Sequence, residues 1–256
     1  MVSIAVTGAA GRMGREVLAA ADARADCEVA FAVNRTPVDE LVSGVVIEST
    51  DNFVELLADH DPDVVVDFTG PESAVEYADA CAETGVAFVT GTTGFDETEI
   101  AELRHAGEST AVLKASNFSR GVAALRLAVR EATAALPEAD IELTETHHNA
   151  KRDAPSGTAK TLLEDIEGVR EDLTDRVHGR EGDTPRSTDE IGVHARRAGD
   201  VAGEHEVLVG AKNEVLSLTH RAGDRSIFAE GALDAAEWLA GREAGWYDFF
   251  EVVEAA

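Results

Sequence analysis

The sequence is poor in the residues that staple small secreted domains or grip polyanions. Only two of its 256 residues are cysteine, Cys27 and Cys81. Both lie among apolar neighbours, so a disulfide framework is excluded and a reduced cytoplasm is the expected compartment. Lysine occurs four times, at Lys114, Lys151, Lys160 and Lys212, and the 22 basic residues face 50 acidic ones, a formal net charge of -28 at pH 7. A surface of that sign repels nucleic acid and anionic membranes, which argues against both as partners. No apolar run reaches the length of a membrane span, and no secretory leader is evident. Internal repeats and low-complexity linkers are also lacking.

What is present points to a folded protein. Hydrophobic residues make up 44% of the chain and fall into periodic segments, which a disordered acidic tail would not show. The carboxylates are spread along the chain rather than gathered at one end, a distribution suited to high salt, where screening relieves their mutual repulsion. The expectation is a halophilic protein. Its length suffices for a sizeable core in one large domain or two smaller ones.

The first half alternates strand and helix. Residues 2–7 read as a buried strand, followed by GAAGRMG and a helical run over 15–23. Gly8, Gly11 and Gly14 are spaced for a tight turn, close approach of a pyrophosphate to backbone amides, and contact between helix and strand. GxxGxxG is a variant of the usual dinucleotide fingerprint, and the same pattern also serves a plain strand-turn-helix. A second strand, 28–33, ends at Asn34-Arg35. An acid at that tip would hold a ribose 2'-hydroxyl, and an arginine would accept a 2'-phosphate. Arg35 therefore points to NADPH, although Asp39 and Glu40 are close by and a solvated loop arginine is the plain alternative. Strands follow at 63–68, 87–90 and 111–114, separated by helical runs at 74–83 and 97–106. This alternation predicts a doubly wound parallel sheet, with ligands beyond the carboxyl ends of the strands. Thr69, Gly91-Thr92-Thr93 and Ser116-Asn117-Phe118-Ser119 fall there, each fit to line a cofactor or simply to turn the chain.

After an amphipathic helix over 120–136 the character changes. A strand at 140–146, a helix at 158–166, a polar loop at 176–186, and strands near 191–198, 205–211 and 214–222 predict a second, mixed or antiparallel sheet. One face of that sheet is a candidate oligomer contact. A last helix over 228–240 returns to cover the first sheet. The stretch ELTETHHNAKRDAPSGTA, residues 142–159, concentrates the chemistry. It supplies two imidazoles at His147 and His148, an ammonium at Lys151, and a turn in which Ser156 can cap a helix while Gly157 admits a ligand near the backbone. Free amides at that helix start attract anions. A proton donor that titrates near neutrality, a fixed cation and an anion site thus share one loop. The remaining histidines, His60, His105, His178, His194, His205 and His220, show no metal-ligand spacing, and no metal is expected.

Taken together and in order, GAAGRMG, DFTGPES, GTTGF, SNFSRGV, THHNAKRDAPSGTA and RAGDVAGEH resemble the dihydrodipicolinate (4-hydroxy-tetrahydrodipicolinate) reductase family. The resemblance spans most of the chain. It implies an α/β protein with a Rossmann-like dinucleotide-binding domain, 1–118 plus 228–256, interrupted by an α+β substrate-binding and oligomerisation domain, 119–227, and assembled as a homotetramer. It also implies NAD(P)H-dependent reduction of a cyclic imine dicarboxylate in the diaminopimelate route to lysine. His147 and Lys151 match the family's catalytic residues, and His148, Ser156, Gly157 and Thr158 match its substrate contacts. Gly8, Ala9, Ala10, Gly11, Arg12 and Met13, with Gly91, Thr92, Thr93, Ser116, Asn117, Phe118 and Ser119, match cofactor-binding positions. Asn34 stands where many members carry an acid, which favours NADPH over NADH while leaving NADH possible. Two other readings remain. Another dehydrogenase on the same fold, such as one acting on aspartate or homoserine, would keep the glycine turn and lack the His-His-Lys string. A non-catalytic NADPH sensor would bind cofactor without turnover.

Overall fold

The computed structural model describes residues 1–36 and 38–255. The chain divides into two compact units, Met1–Ser119 with Arg225–Ala256, and Arg120–Asp224. The first half runs β1 (Val2–Thr7), α1 (Arg12–Ala23), β2 (Cys27–Asn34), β3 (Ile47–Ser49), α2 (Phe53–His60), β4 (Val64–Asp67), α3 (Pro71–Thr84), β5 (Ala87–Thr90), α4 (Glu97–Ala106) and β6 (Ala111–Lys114). The second unit holds α5 (Arg120–Ala135), β7 (Asp140–His147), α6 (Gly157–Val169), β8 (Asp175–His178), β9 (Glu190–Arg197), β10 (Glu204–Ala211) and β11 (Glu214–Arg221). The chain then closes the first unit with α7 (Ser226–Leu239), β12 (Gly245–Tyr247) and α8 (Phe249–Glu254).

In the first unit seven parallel strands lie in the order β12-β6-β5-β4-β1-β2-β3. Uninterrupted runs such as VVVD in β4 and AFVT in β5 are buried along their whole length, as expected of strands covered on both faces. Helix starts and stops follow local chemistry. Pro71 begins α3, left-handed Gly85 ends it, and an Asp96–Glu99 capping box opens α4. The strand order reverses between β1 and β4, and the crevice at their carboxyl ends is where such sheets bind ligands.

The second unit is a five-stranded mixed sheet, β11-β10-β7-β9-β8. β10 runs antiparallel to β7 and β11, whereas β7, β8 and β9 are parallel. Leu162, Leu163 and Ile166 of α6 join Leu125 and Val129 of α5 over Ile141, Leu143, Val193 and Val207. Each fully buried aliphatic side chain contributes roughly 1.5–3 kcal/mol. Strand alternation places Glu145 and His147 on the same inward parity as Ile141 and Leu143, so the apolar face becomes polar towards the end of β7.

The structure adds elements that hydropathy alone did not reveal. β8 overlaps the start of the stretch read as a polar loop, in which Arg180 and Arg186 are anchored on Glu190 and Glu142. β3, α2, β12 and α8 are short and carry too few residues for a clear period.

Candidate active site

In the second unit, the chain leaves β7 at His147 and is pinned at once. Ala198 N donates to His147 O, Asn149 N to Gly199 O, and Lys151 N to His148 O. At the centre lies Glu145, with no exposed surface. Its carboxylate accepts both terminal nitrogens of Arg197 at 2.8 and 2.9 Å and the backbone N–H of Ser156 at 3.2 Å. His147 Nδ1 sits 2.5 Å from Glu145 Oε2. That contact commits Nδ1 to Glu145 and leaves Nε2 as the ring nitrogen turned away from it. Gly203 faces that nitrogen, since a Cβ built there would stand 3.2 Å from Nε2. Lys151 Nζ pairs with Asp153 at 2.8 Å, and His148 is half-buried in the same loop.

Ser156 caps α6, its hydroxyl accepting from Ala159 N at 3.2 Å, and that hydroxyl also meets His205 Nε2 at 3.0 Å. Gly157 follows, exposed, with open space where a side chain would project. Thr158 is half-buried beside it. A carboxylate can therefore reach the start of α6 without displacing a side chain of the protein.

The charges are interlocked. Burial lowers the His147 pKa from its ordinary value, and Lys151 and Arg197 add to that, while Glu145 opposes them. Burial would raise Glu145, but hydrogen bonds from Arg197 and His147 outweigh it and hold the carboxylate below its usual range. Asp153 is likewise held low, Lys151 prevailing over partial burial. His205 is pushed down to about 3, mainly by burial and further by His147, and its Nδ1 has no hydrogen-bond partner.

In the first unit, Gly8, Gly11, Arg35, Thr69, Ser73 and Tyr77 are among the residues lining an open cleft of about 320 Å³ at the carboxyl ends of β1, β2 and β4. Glycine is required here. Gly8 has φ 70°, and a Cβ there would lie 2.6 Å from Phe68 O. At Gly14 a Cβ would meet Gly8 O at 2.3 Å, so the helix packs directly on the turn. α1 starts after Gly11 with no side-chain cap and no acid in its first turn, a start that accepts a diphosphate. The residues present thus fit a dinucleotide. Arg35 Nη2 bonds Ser73 Oγ at 3.1 Å at the cleft wall, and Glu40 is taken up by Arg15 at 3.0 Å.

Ala9 is buried with its N–H on Val33 O, while Ala10 and Met13 are half-buried and Arg12 is exposed. Gly91 is held against the Phe68 ring, Thr92 is buried and Thr93 exposed. Ser116 is exposed, and Asn117 Oδ1 accepts from Ser119 N at 2.8 Å. The Phe118 ring is core, packed edge-on against Phe68 and Phe249, so only its backbone remains for a ligand. Pattern reading missed Glu145, Arg197, Gly203 and the buried Asp67 at the end of β4. The signal for Glu145 was present, because it is a charged residue on the inward parity of an apolar strand.

Comparison with known proteins matches residues 2–118 to the family model "Dihydrodipicolinate reductase, N-terminus" and residues 121–253 to "Dihydrodipicolinate reductase, C-terminus". The chain is 54% identical over 252 residues to 4-hydroxy-tetrahydrodipicolinate reductase of Natronomonas pharaonis, covering 98% of this chain and 100% of that one. It is 49% identical to the protein of the same name from Haloarcula marismortui, with full coverage of both. Among solved structures, a dipicolinate-bound dihydrodipicolinate reductase from Paenisporosarcina sp. TG-14 superposes with a TM-score of 0.81 at 25% identity, over 97% of each chain.

Proposed function

The chain belongs to the dihydrodipicolinate reductase family, and on that premise we propose that it reduces 4-hydroxy-tetrahydrodipicolinate to tetrahydrodipicolinate with NADPH, in the diaminopimelate route to lysine. The observation that carries this reading is the polar cluster at the end of β7, where a Glu145-held imidazole, an ammonium and an open helix start share one loop. A nicotinamide cofactor held at the glycine turn and the start of α1 would supply a hydride for ring C4 of the substrate once the hydroxyl has left as water. The chain's own residues do the rest. Gly157 and Thr158, with Ser156 behind them, receive a substrate carboxylate, and His148 contacts the same ligand. His147 holds a proton at Nε2 and passes it to the ring as electrons move through the conjugated C=C–C=N system. Glu145 and a dianionic substrate both favour the protonated imidazole, offsetting the burial that otherwise disfavours it. Lys151 stabilises the negative charge that develops.

Arg35 supports a preference for NADPH, with NADH as the weaker alternative. A cytoplasmic homotetramer joined through the second sheet belongs to the same reading. The test is NADPH oxidation in molar KCl with substrate generated from pyruvate and aspartate semialdehyde by the preceding synthase, with NADH in parallel. Oxidation that depends on the synthase product is expected. His147→Gln and Lys151→Ala should each lower turnover at least ~100-fold, the lower end for losing a general acid. Near-normal turnover in both variants, or no oxidation by a folded wild-type protein that binds NADPH, overturns the assignment.

A further inference from the structure

Asp67 ends β4 and is completely buried. It immediately precedes Phe68, Thr69 and Gly70, which line the cleft of the first unit. Its two oxygens accept four threonine hydroxyls. Thr7 and Thr69 bond Oδ1 at 2.7 and 2.6 Å, and Thr90 and Thr92 bond Oδ2, each at 2.7 Å. Thr7 ends β1, Thr90 ends β5, and Thr69 and Thr92 stand in the loops that follow β4 and β5.

The hydroxyls also have a direction. Thr92 N donates to Thr90 Oγ1 at 3.1 Å, and Thr69 N donates to Thr92 Oγ1 at 2.9 Å. Each of these oxygens receives a loop amide and passes its single proton to Asp67, so backbone amide, hydroxyl and carboxylate form one chain of consistent polarity. An amide at position 67 would present a donor to hydroxyls whose protons already point inward. A buried carboxylate is costly unless it is fully hydrogen-bonded, and here the bonding comes from neutral hydroxyls drawn from three strand ends.

We infer that Asp67 is a positioning residue for the cofactor site, its carboxylate tying the loops after β1 and β4, which line the cleft, to the loop after β5, whose Thr92 hydroxyl holds the Thr69 amide. This rests on the cleft being the cofactor site. Thr7 and Thr90 are suited to the test because both are fully buried, both donate to Asp67, and neither lines the cleft. Thr7→Val removes one donor, and Thr90→Val removes a donor together with the acceptor of Thr92 N.

The experiment is an equilibrium titration with NADPH, followed by its fluorescence in molar KCl, of wild type, Asp67→Asn, Thr7→Val, Thr90→Val and Thr90→Ser. Circular dichroism confirms that each is folded, and KM for the dicarboxylate is measured alongside. Thr90→Val and Asp67→Asn should bind NADPH at least ~10-fold more weakly, the scale of a lost hydrogen bond to a charged group, with KM for the dicarboxylate unchanged. Thr90→Ser, which restores the hydroxyl without the methyl, should bind as wild type does even where its melting temperature falls. Folded Thr7→Val and Thr90→Val proteins that both bind NADPH within twofold of wild type would refute the inference, because a purely structural role lowers stability and spares affinity. A wild type that binds no nicotinamide cofactor would instead remove the cofactor reading on which the inference stands.

Discussion

Replacing Glu145 with glutamine isolates one charge while keeping the shape of the cluster. Glutamine can still accept from Ser156 N, but the carboxylate that meets His147 Nδ1 at 2.5 Å and binds Arg197 through two nitrogens is gone. A hydrogen bond to a charged group is worth roughly 1.5–3 kcal/mol. At about 1.4 kcal/mol per factor of ten, turnover at neutral pH should fall ~10- to 150-fold. The pH profile gives a second, independent sign. A general acid must be protonated, so turnover declines as pH rises through the His147 pKa. Glu145 raises that pKa, whereas burial, Lys151 and Arg197 lower it. Without the carboxylate the lowering causes act unopposed, and the falling limb should move to lower pH. The assay is kcat and kcat/KM against pH for both proteins in molar KCl, with circular dichroism as the folding control. A folded Glu145→Gln enzyme with wild-type turnover and an unshifted limb would refute the argument that Glu145 acts through His147.

Two further outcomes are expected. Arg35→Ala should weaken NADPH binding by roughly ten- to a hundredfold, the scale of a lost charged hydrogen bond, and leave NADH binding nearly unchanged; parallel titrations with the two cofactors check it, and equal losses for both would remove Arg35 as the phosphate contact. His205, whose pKa is about 3 in the folded protein, should make stability sensitive to acid. The unfolded state takes up the proton first, so stability is complete above about pH 6.5 and is lost as pH falls, by on the order of 4 kcal/mol near pH 3. Urea midpoints against pH should show this slope in wild type and a shallower one in His205→Gln; identical slopes would exclude His205 as the source.

The parts of the molecule that depend on local patterning could be read directly. The β-branched runs of β1, β4 and β5 and the Ser156 cap of α6 are each set by neighbours within a few residues, and the structure has them where the pattern places them. α8 leaves no periodic signal even though Asp248 and Glu251 form a capping box at its start; at six residues it is too short for its apolar period to register. Arg197, His205 and Asp67 belong to another category. Arg197 lies 52 residues from Glu145, and His205 lies 49 from Ser156. The register of β9 and β10 against β7 sets Arg197 opposite His147 and His205 opposite Glu145, whose carboxylate in turn holds the Ser156 amide. Asp67 looks like the polar end of a hydrophobic strand until three strand ends are seen to converge on it.

Ser156 has a consequence beyond capping. Its hydroxyl serves α6 and His205, while its amide serves Glu145. One residue therefore joins the start of α6, the strand that carries Glu145 and His147, and the neighbouring strand that carries His205. If this joint opens, the two halves of the site come apart at the same moment, and neither is left poised without the other. In such an arrangement, damage by heat or mutation should read out as fewer competent molecules rather than as a population of slower ones.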